Sequence, residues 1–527
     1  MADENTAKRL LALVLVWLLV AALAAVTYKV LIKPILNKKK EAKTGSESKY
    51  KCDISIAADS FSGYSILRSE NFRELMENDG IKLAVVDDKA DYSGRVNALR
   101  KGDVQMAVFP LNSIIEAAAE NPDFPGTIVL VIDETRGADA IIAKKENVKS
   151  FEDLNCAGGG FVLVPESPSE FLARVVVASF NLPKLPGNWM EKCDSASDVF
   201  EKFKNAKPGE KKAYVMWEPY VSKALDSSGV ILLDSSKLRG YIVDVLVVQR
   251  DFLLKNEDIV KKVVEAYLRA AFSYMRNPKD MITLLIEDAR AGGESLTEQQ
   301  AERINQGVQW KNTLENYGCM GIAENQGDKK VQHIEDMMSN IAEILLKTGA
   351  VKEIPLGGKL NTLFYSKILA TLHRENFHPG KKINIIEGAG IGTEDLESVR
   401  SDKKLVPLGD SQWERLIRVG TMNIKPISFA RGTDRLNIQS TRDLELLAKT
   451  LSNFPDYYLS VTGHTRAEGD SEENRQLAQK RSESAAKYLI SQGIDEARIR
   501  AKASTGSNNQ DESDSQSVSF VVMQMPF

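Results

Sequence analysis

The sequence predicts a membrane-anchored chain with two folded modules, an α/β module followed by a smaller α+β module. Three observations lead to this prediction. Residues 10–28 form an uncharged apolar segment, strand and helix patterns alternate between residues 50 and 350, and the order β-α-β-α-β-β follows from residue 426. A length of 527 residues exceeds what one ordinary core supports, which agrees with two or more domains.

The composition narrows the classes of function. A net charge of −4, from 69 basic and 73 acidic residues, gives no basic excess to neutralise phosphates, so we expect no nucleic-acid partner. The first histidine is His333, so the α/β module has almost no imidazole for catalysis or metal binding. We therefore predict no enzyme activity, no metal and no cofactor.

The four cysteines leave two alternatives open. Cys52, Cys156, Cys193 and Cys319 contain no CxxC pair, so a zinc or redox motif is not expected. In an exported chain they could form up to two disulfides, or they could be buried thiols, and spacing alone does not decide between these.

The apolar segment at residues 10–28 reads LLALVLVWLLVAALAAVTY. As a helix it would be roughly 28 Å long, close to the hydrocarbon thickness of a bilayer. We predict a transmembrane signal anchor over residues 1–36 and a polar tether over 37–49. A cleaved signal peptide is the alternative, because ALA at 22–24 resembles a cleavage site.

The α/β module is predicted over residues 50–350. Strand patterns occur at 53–58, 81–86, 104–109, 127–132, 138–143, 160–164, 213–217 and 230–233. Helical patterns occur at 67–77, 113–119, 169–179 and 259–275. This alternation predicts mostly parallel strands.

Five features of this module carry a family resemblance. They are Gly102-Asp103 followed by a strand, GADAIIAKK at 137–145, SFEDLNCAGGGFVLVPESPSEFLARV at 150–175, VMWEPYVSKAL at 215–225 and DVLVVQRDFL at 244–253. In this order they resemble the periplasmic solute-binding proteins of nitrate, sulfonate, taurine and thiamine-precursor ABC transporters. The resemblance implies a bilobed periplasmic-binding-protein-like fold whose cleft closes on a small ligand.

Candidate ligand-binding residues lie at the carboxyl ends of the predicted strands, where open α/β sheets bind ligands, and in the crossover region. Those near strand ends are Ser60, Ser62, Tyr64, Asn112, Ser167, Ser169, Trp217 and Glu218, and those in the crossover region are Arg136 and Asp139. Ser167 and Ser169 lie where a helix begins, and a helix N-terminus favours an anion. We therefore predict a small anionic solute, with a plain serine cap and a strand-to-helix turn at Trp217 as the structural alternatives.

The segment at residues 351–425 is predicted to be a connector. It contains an amphipathic helical pattern at 360–373 and a shorter one at 411–418. The glycines of EGAGIG at 387–392 do not have the spacing of a phosphate-binding loop, and no Gly-Lys-Ser/Thr follows, so we interpret this stretch as a loop.

The α+β module spans residues 426–527. Strands are predicted at 427–429, 458–462, 498–503 and 518–523, and helices at 441–451 and 474–492. The motifs ISFARGTDRL at 427–436, LSVTGHTRAEGD at 459–470 and NRQLAQKRSESAAKYLISQGI at 474–494 resemble the OmpA-like peptidoglycan-binding domain.

The OmpA resemblance implies a peptidoglycan site formed by Thr465, residue 466, Asn474 and Arg481. The family carries an Asp directly after Gly-His-Thr, which pairs with the ammonium of the peptide stem, whereas this chain has Arg466. This substitution reverses the charge, so binding of the usual diaminopimelate group is in doubt.

These features together predict a single-pass bacterial inner-membrane protein with most of its chain in the periplasm. It would bind the solute and engage peptidoglycan, and other envelope or transporter proteins are further partners. The alternative is an envelope scaffold whose modules mediate protein contacts without either ligand. One observation opposes this topology, because the lysines after the apolar segment outnumber Lys8 and Arg9 before it. Large domains can be translocated across a membrane despite such charges. We therefore predict the orientation that the two envelope-type modules indicate, with these modules in the periplasm.

Overall fold

The computed structural model describes residues 50–218, 220–323, 331–381, 405–430, 432–464, 471–504 and 517–526. Residues 53–527 form one compact unit. The apolar segment at 10–28 lies outside the described residues. Within the described ranges, no helix has the length and apolar character needed to cross a bilayer.

The strands of the described residues form three sheets. In chain order they are β1 Cys52–Ala57, β2 Ile81–Val86, β3 Met106–Pro110, β4 Gly126–Thr135, β5 Asp139–Lys144, β6 Gly160–Leu163, β7 Met190–Lys192, β8 Lys212–Trp217, β9 Gly229–Asp234, β10 Val243–Gln249, β11 Val308–Trp310, β12 Ile417–Thr421, β13 Tyr458–Gly463, β14 Ile499–Ala503 and β15 Val518–Gln524.

The α-helices cover the faces and edges of these sheets. They are α1 Ser65–Arg68, α2 Glu70–Asn78, α3 Tyr92–Lys101, α4 Leu111–Glu120, α5 Pro168–Ser179, α6 Ala196–Lys204, α7 Tyr220–Asp226, α8 Arg250–Lys255, α9 Glu257–Arg276, α10 Pro278–Ala291, α11 Glu298–Gly307, α12 Thr313–Cys319, α13 Ile334–Lys347, α14 Lys367–Arg374, α15 Asp410–Trp413, α16 Ile438–Ser452 and α17 Ser471–Ser491.

Two of the sheets define two lobes. Lobe 1, residues 53–135 and 243–381, contains the sheet β11-β4-β10-β3-β1-β2, and lobe 2, residues 139–234, contains β7-β6-β8-β5-β9. The chain passes from β4 to β5 through residues 136–138 and returns from β9 to β10 through residues 235–242. We call these segments the first and second crossover. A bilobed α/β fold is therefore present, as the sequence predicted.

The prediction of mostly parallel strands is wrong, because both sheets are mixed. Strands β1 and β3 pair in parallel, as do β6 and β8. Strand β10 is antiparallel to both β3 and β4, and β5 is antiparallel to both β8 and β9. The reason is topological: β5 and β10 each arrive from the other lobe and run against the strands that local β-α-β units build.

Strand β4 is the central structural element of lobe 1, and all ten of its residues are buried. Antiparallel β10 covers one of its edges. On the other side Asn316 of α12 acts like a strand residue, because its side chain accepts a hydrogen bond from Val131 N at 2.9 Å and donates one to Val131 O at 3.1 Å. Both backbone groups are thereby satisfied in the interior.

The segment predicted to be a connector is divided between the modules. Tyr365 N donates to Ile128 O of β4 at 2.8 Å, so the described residues up to 381 pack on lobe 1. The predicted helix at 360–373 starts only at Lys367, because a 3₁₀ turn occupies Leu360–Leu363. The predicted helix at 411–418 is one turn long and gives way to β12, which pairs with β15.

The C-terminal module, residues 405–526, contains the sheet β12-β15-β13-β14 and the helices α16 and α17. The predicted strands at 458–462, 498–503 and 518–523 are confirmed as β13, β14 and β15. The predicted strand at 427–429 is wrong, since only an isolated bridge joins Phe429 to Leu436. Gly463 allows close packing, because a Cβ there would lie 2.1 Å from the carbonyl oxygen of Ala478 in α17.

Cys156, Cys193 and Cys319 are free thiols in the described structure. Burial raises the pKa of the Cys319 thiol to about 12, so it is a packing residue rather than a nucleophile. Of the two alternatives that the sequence left open, the structure therefore has thiols at these positions.

Candidate functional site

Helix α4 of lobe 1 and helix α5 of lobe 2 both pack against α13. Burial, together with the charge of Glu170 in α5, raises the pKa of Glu116 in α4 to about 7, while Arg174 opposes this effect. Arg174 is committed to Glu170 by a salt bridge of 2.5 Å, so it leaves no net positive charge on this interlobe face.

Ser167 and Ser169 lie at the start of α5 but differ in their contacts. Ser167 Oγ accepts a hydrogen bond from Glu170 N at 3.4 Å and donates one to Val164 O at 2.7 Å. These are the contacts of a helix cap. Ser169 Oγ is fully buried and has no hydrogen-bond partner among the described residues.

Of the three predicted ligand-binding residues in the loop after β1, one is buried. Ser60 is exposed and Ser62 is half-buried, whereas Tyr64 is buried. Tyr64 OH donates a hydrogen bond to Asp244 Oδ1 at 2.9 Å. Burial and the charge of Asp244 raise the pKa of Tyr64 well above its usual value, so the hydroxyl remains a donor.

A pair of buried carboxylates lies where β4 and β10, the strands connected to lobe 2, pair with each other. Asp133 of β4 and Asp244 of β10 are register partners. Burial raises the pKa of Asp244 to about 7, and burial together with the charge of Asp244 raises that of Asp133 well above its usual range. Neither side-chain oxygen of Asp133 has a hydrogen-bond partner among the described residues, and the raised pKa values favour protonation of this pair over ionisation of both carboxylates.

The sequence analysis missed this pair. A signal was available, since each Asp interrupts a β-branched run, in VLVIDET at 129–135 and in VDVLVV at 243–248. A single carboxylate inside an otherwise apolar strand is unfavourable unless it is protonated, paired or used to bind a ligand.

Asp139 is the third carboxylate of this group and the only one that the sequence predicted. It begins β5 directly after the first crossover, and its backbone N donates to Ser235 Oγ at 3.3 Å. Its side chain is 4% exposed, and burial and the charge of Asp244 raise its pKa to about 7. Within the described ranges its carboxylate makes no hydrogen bond and no salt bridge.

The cations near these carboxylates are matched with other acids. Lys311 Nζ lies 2.6 Å from Glu134 Oε2, and Arg95 Nη2 lies 3.0 Å from Asp59 Oδ2. Among the described residues, no salt bridge involves the three carboxylates at 133, 139 and 244. The group of buried carboxylates between the lobes is therefore not matched by a cation among the described residues.

Two other predicted residues have structural contacts. Arg136 does not point to a ligand site, because its Nη2 lies 3.4 Å from Asp456 Oδ2 of the C-terminal module. The Glu218 carboxylate accepts hydrogen bonds from the backbone N and Oγ of Ser222 and so stabilises the start of α7.

Trp217 and Asn112 lie nearer to the interlobe face. Trp217 is the register partner of Asp139 and is half-buried, so its ring is a candidate wall for the site. Asn112 is buried at the start of α4, and its Nδ2 lies 3.5 Å from Ser113 Oγ. Of the ten predicted ligand-binding residues, Tyr64, Asn112, Asp139, Ser169 and Trp217 are the ones whose surroundings fit a ligand site.

The predicted peptidoglycan site is described only in part. Thr465 and Arg466 lie outside the described residues, and Asn474 is half-buried in α17. Arg481 is 6% exposed, and its Nε donates to Thr433 O at 3.0 Å. The guanidinium also lies over the ring of Phe429 at 5.2 Å, so it supports the preceding loop.

A cavity of about 650 Å³ lies on the sheet of the C-terminal module. Its described lining includes the hydroxyls of Ser460 and Thr462 on β13, and His464, whose Nε2 is 2.8 Å from Ser519 Oγ. Asn474 and Arg481 are not part of this lining. The cavity is therefore separate from these two described residues of the predicted peptidoglycan site.

Comparison with known proteins identifies two segments. Residues 75–281 match the family described as NMT1/THI5 like, and residues 428–520 match the OmpA family. No curated protein is significantly similar in sequence. Among solved structures, the alkanesulfonate-binding protein from Xanthomonas axonopodis pv. citri, bound to MOPS, is 15% identical, with a TM-score of 0.45 over 60% of this chain and 99% of that one.

Two further solved structures are similar at the same level. The periplasmic aliphatic sulphonate binding protein from Escherichia coli is 16% identical, with a TM-score of 0.44 over 61% of this chain and 93% of that one. A desulfurization enzyme is 11% identical, with a TM-score of 0.43 over 62% and 100% of the two chains.

The raised carboxylate pKa values predict that stability falls as the pH rises. Asp139 and Asp244, with pKa values of about 7, hold protons in the folded state that the unfolded chain releases near pH 4. Stability is thus highest at acidic pH and is lost as pH rises through 7. We expect Asp139→Asn to reduce this dependence by up to about 1.4 kcal/mol per pH unit.

The measurement is chemical denaturation of wild type and variant between pH 5 and 8. The exposed Asp226→Asn is the matched control and should leave the slope unchanged. An Asp139→Asn variant with the wild-type slope would show that this carboxylate is ionised in the folded protein.

Proposed function

We propose that this chain, which joins an NMT1/THI5-like region to an OmpA family domain, is a non-enzymatic envelope protein that binds a small solute between its lobes. The single observation that carries the proposal is the Asp139 carboxylate, buried at the interlobe face with no partner among the described residues. A buried acid of this kind needs a proton or a ligand to offset the cost of its charge.

The solute that best fits these carboxylates carries a positively charged or donor-rich nitrogen group. Asp139 belongs to one acidic group with Asp244 and Asp133. The cations Lys311 and Arg95 are paired with Glu134 and Asp59 instead. An amine, amidine or protonated amino heterocycle would supply the missing charge and donate hydrogen bonds to Asp139. The ring of Trp217, next to Asp139 in register, would cover an apolar face of such a solute.

An anionic solute, which the sequence suggested, is the second candidate. It is favoured by Ser169, whose buried Oγ has no described partner and lies in the first turn of α5. Free backbone N–H groups and the helix dipole at that N-terminus attract negative charge. The contacts of Ser167 and Arg136 do not add to this case, since one caps the helix and the other pairs with Asp456.

Calorimetry separates the two ligand classes. We expect the full chain to bind members of a panel of amines, amidines and aminopyrimidines, and the affinity should fall as pH drops through 7 and Asp139 becomes protonated. Asp139→Asn should weaken binding about tenfold or more, because a charge-assisted hydrogen bond contributes about 1.5–3 kcal/mol. Asp226→Asn is the control, and circular dichroism checks the fold.

The same titrations include sulfonates and carboxylates. Binding of these anions that strengthens at low pH and is lost in Ser169→Ala would replace the cationic solute with the anionic one. Absence of binding by either class would favour the scaffold alternative, in which the lobes serve protein contacts.

We propose further that residues 10–28 anchor the protein in the inner membrane with the folded modules in the periplasm. The uncharged length of that segment supports the proposal. A reporter that is active only in the periplasm, fused after Phe527, should be active, and spheroplast washing should not release the protein. Activity of a cytoplasmic reporter at the same position would instead show that the folded modules lie in the cytoplasm. The lysines after the segment favour that orientation.

The C-terminal module is proposed to contact peptidoglycan weakly. Arg466 carries the charge opposite to the Asp that pairs with the stem ammonium, and Arg481 is held by Thr433 O and Phe429. We expect wild-type protein to leave insoluble diaminopimelate-type wall at moderate salt, since exposed charge contacts are screened. Arg466→Asp should increase retention in a pull-down, whereas the exposed Arg475→Asp should not. Salt-resistant retention of the wild type would contradict this proposal.

A further inference from the structure

The contacts of the C-terminal module with both lobes indicate a role for this module beyond solute binding. Two-lobed binding folds close by rotation about the segments that join the lobes. Here these are the first crossover at 136–138 and the second at 235–242. A body that is bonded to both crossovers and to both lobes would restrain that rotation.

Asn453, which follows α16 in the C-terminal module, contacts the second crossover and lobe 1 together. It is 2% exposed, and its carbonyl oxygen accepts a hydrogen bond from Arg239 N at 3.0 Å. Its Nδ2 donates to Tyr241 OH at 3.3 Å. Its Oδ1 accepts from Asn340 Nδ2 of α13 and from Gln332 Nε2, both at 3.4 Å.

The first crossover is bound by the neighbouring residues of the same loop. Arg136 lies between Glu134 of β4 at 3.8 Å and Asp456 of the C-terminal module at 3.4 Å. The ring of Phe454 packs against Tyr241 of the second crossover, with centroids 6.2 Å apart. One short loop, residues 453–457, therefore touches both crossovers.

Lobe 2 is held through backbone bonds to the strand that begins the C-terminal module. Thr421 at the end of β12 accepts a hydrogen bond from Asn181 N at 2.8 Å, and Asn423 N donates to Ser179 O at 2.7 Å. The Glu152 carboxylate accepts from Thr421 N at 2.8 Å. These bonds extend the C-terminal sheet onto the end of α5.

Lobe 1 is held through α13. Besides Asn340, Glu343 of this helix forms a salt bridge of 2.9 Å with Lys449 of α16. Helix α13 also reaches lobe 2, since Arg174 Nη1 of α5 donates to Thr348 O at its C-terminal end at 3.1 Å. The C-terminal module therefore contacts α13, the helix that itself contacts both lobes.

From these contacts we infer that the C-terminal module is an interlobe clamp, which fixes the angle between the lobes and couples the state of the solute cleft to its own position. Opening of the cleft requires the module to leave one lobe. Linkage then acts in both directions: a solute that favours one lobe angle changes how firmly the module is held, and a partner that pulls on the module changes solute affinity. The proposal does not depend on which solute binds.

Pulsed electron paramagnetic resonance on the detergent-solubilised full chain tests the clamp. Spin labels are placed on unnatural amino acids at Lys101 in α3 of lobe 1 and Glu201 in α6 of lobe 2, both exposed. The wild type should give one narrow distance distribution. Asn453→Ala combined with Asp456→Ala should broaden it and add a second population at another distance.

Arg475→Ala is the matched control, because Arg475 is an exposed residue of the same module that pairs only with Glu472 among the described residues. It should leave the distribution narrow. Arg136→Ala tests the clamp from the lobe side and should broaden the distribution even if the double variant fails to fold, as judged by circular dichroism. A broad wild-type distribution, or a narrow and unchanged one in folded Arg136→Ala, would overturn the inference.

Discussion

The antiparallel pairing of β4 with β10 is the constraint on which the rest of this structure depends. Each strand is connected directly to lobe 2, so the chain leaves and re-enters lobe 1 at adjacent positions of one sheet. This arrangement brings the two crossovers side by side and aligns Asp133 with Asp244. It also makes both sheets mixed, because a strand that arrives from the other lobe runs against its locally built neighbours.

The carboxylates near this pairing show how a buried site can be built without cations. A buried, unpaired carboxylate is costly. The raised pKa values of Asp133 and Asp244 favour protonation, which reduces that cost, and Asp244 also accepts a hydrogen bond from the Tyr64 hydroxyl. Asp139 has no such neighbour to donate to it. Its position at the start of β5 makes it the group of this cluster whose charge a bound solute would compensate. Under the proposed function, stability and ligand binding would therefore depend on the same three side chains.

The C-terminal module matches the OmpA family and also packs against both lobes. Its sheet and helix packing are tight, as the close approach of Gly463 to α17 requires. The basic residue that the OmpA resemblance assigns to the peptide stem, Arg481, instead stabilises the loop that carries Phe429. The loop that contains Asn453 contacts both crossovers.

The sequence by itself determined the local elements and the order of the domains. Alternation of β-branched runs with helical patterns predicted most strands to within a few residues, and Ser167 before α5 was recognisable as a cap, because such preferences depend on neighbouring residues alone. Only the tertiary structure decided that Arg136 pairs with Asp456, that described residues of the predicted connector pack in different modules, and that Asp133, Asp139 and Asp244 form one group. These features depend on which distant strands pair and on which buried charged groups lack an oppositely charged neighbour. Neither can be predicted from a local sequence pattern.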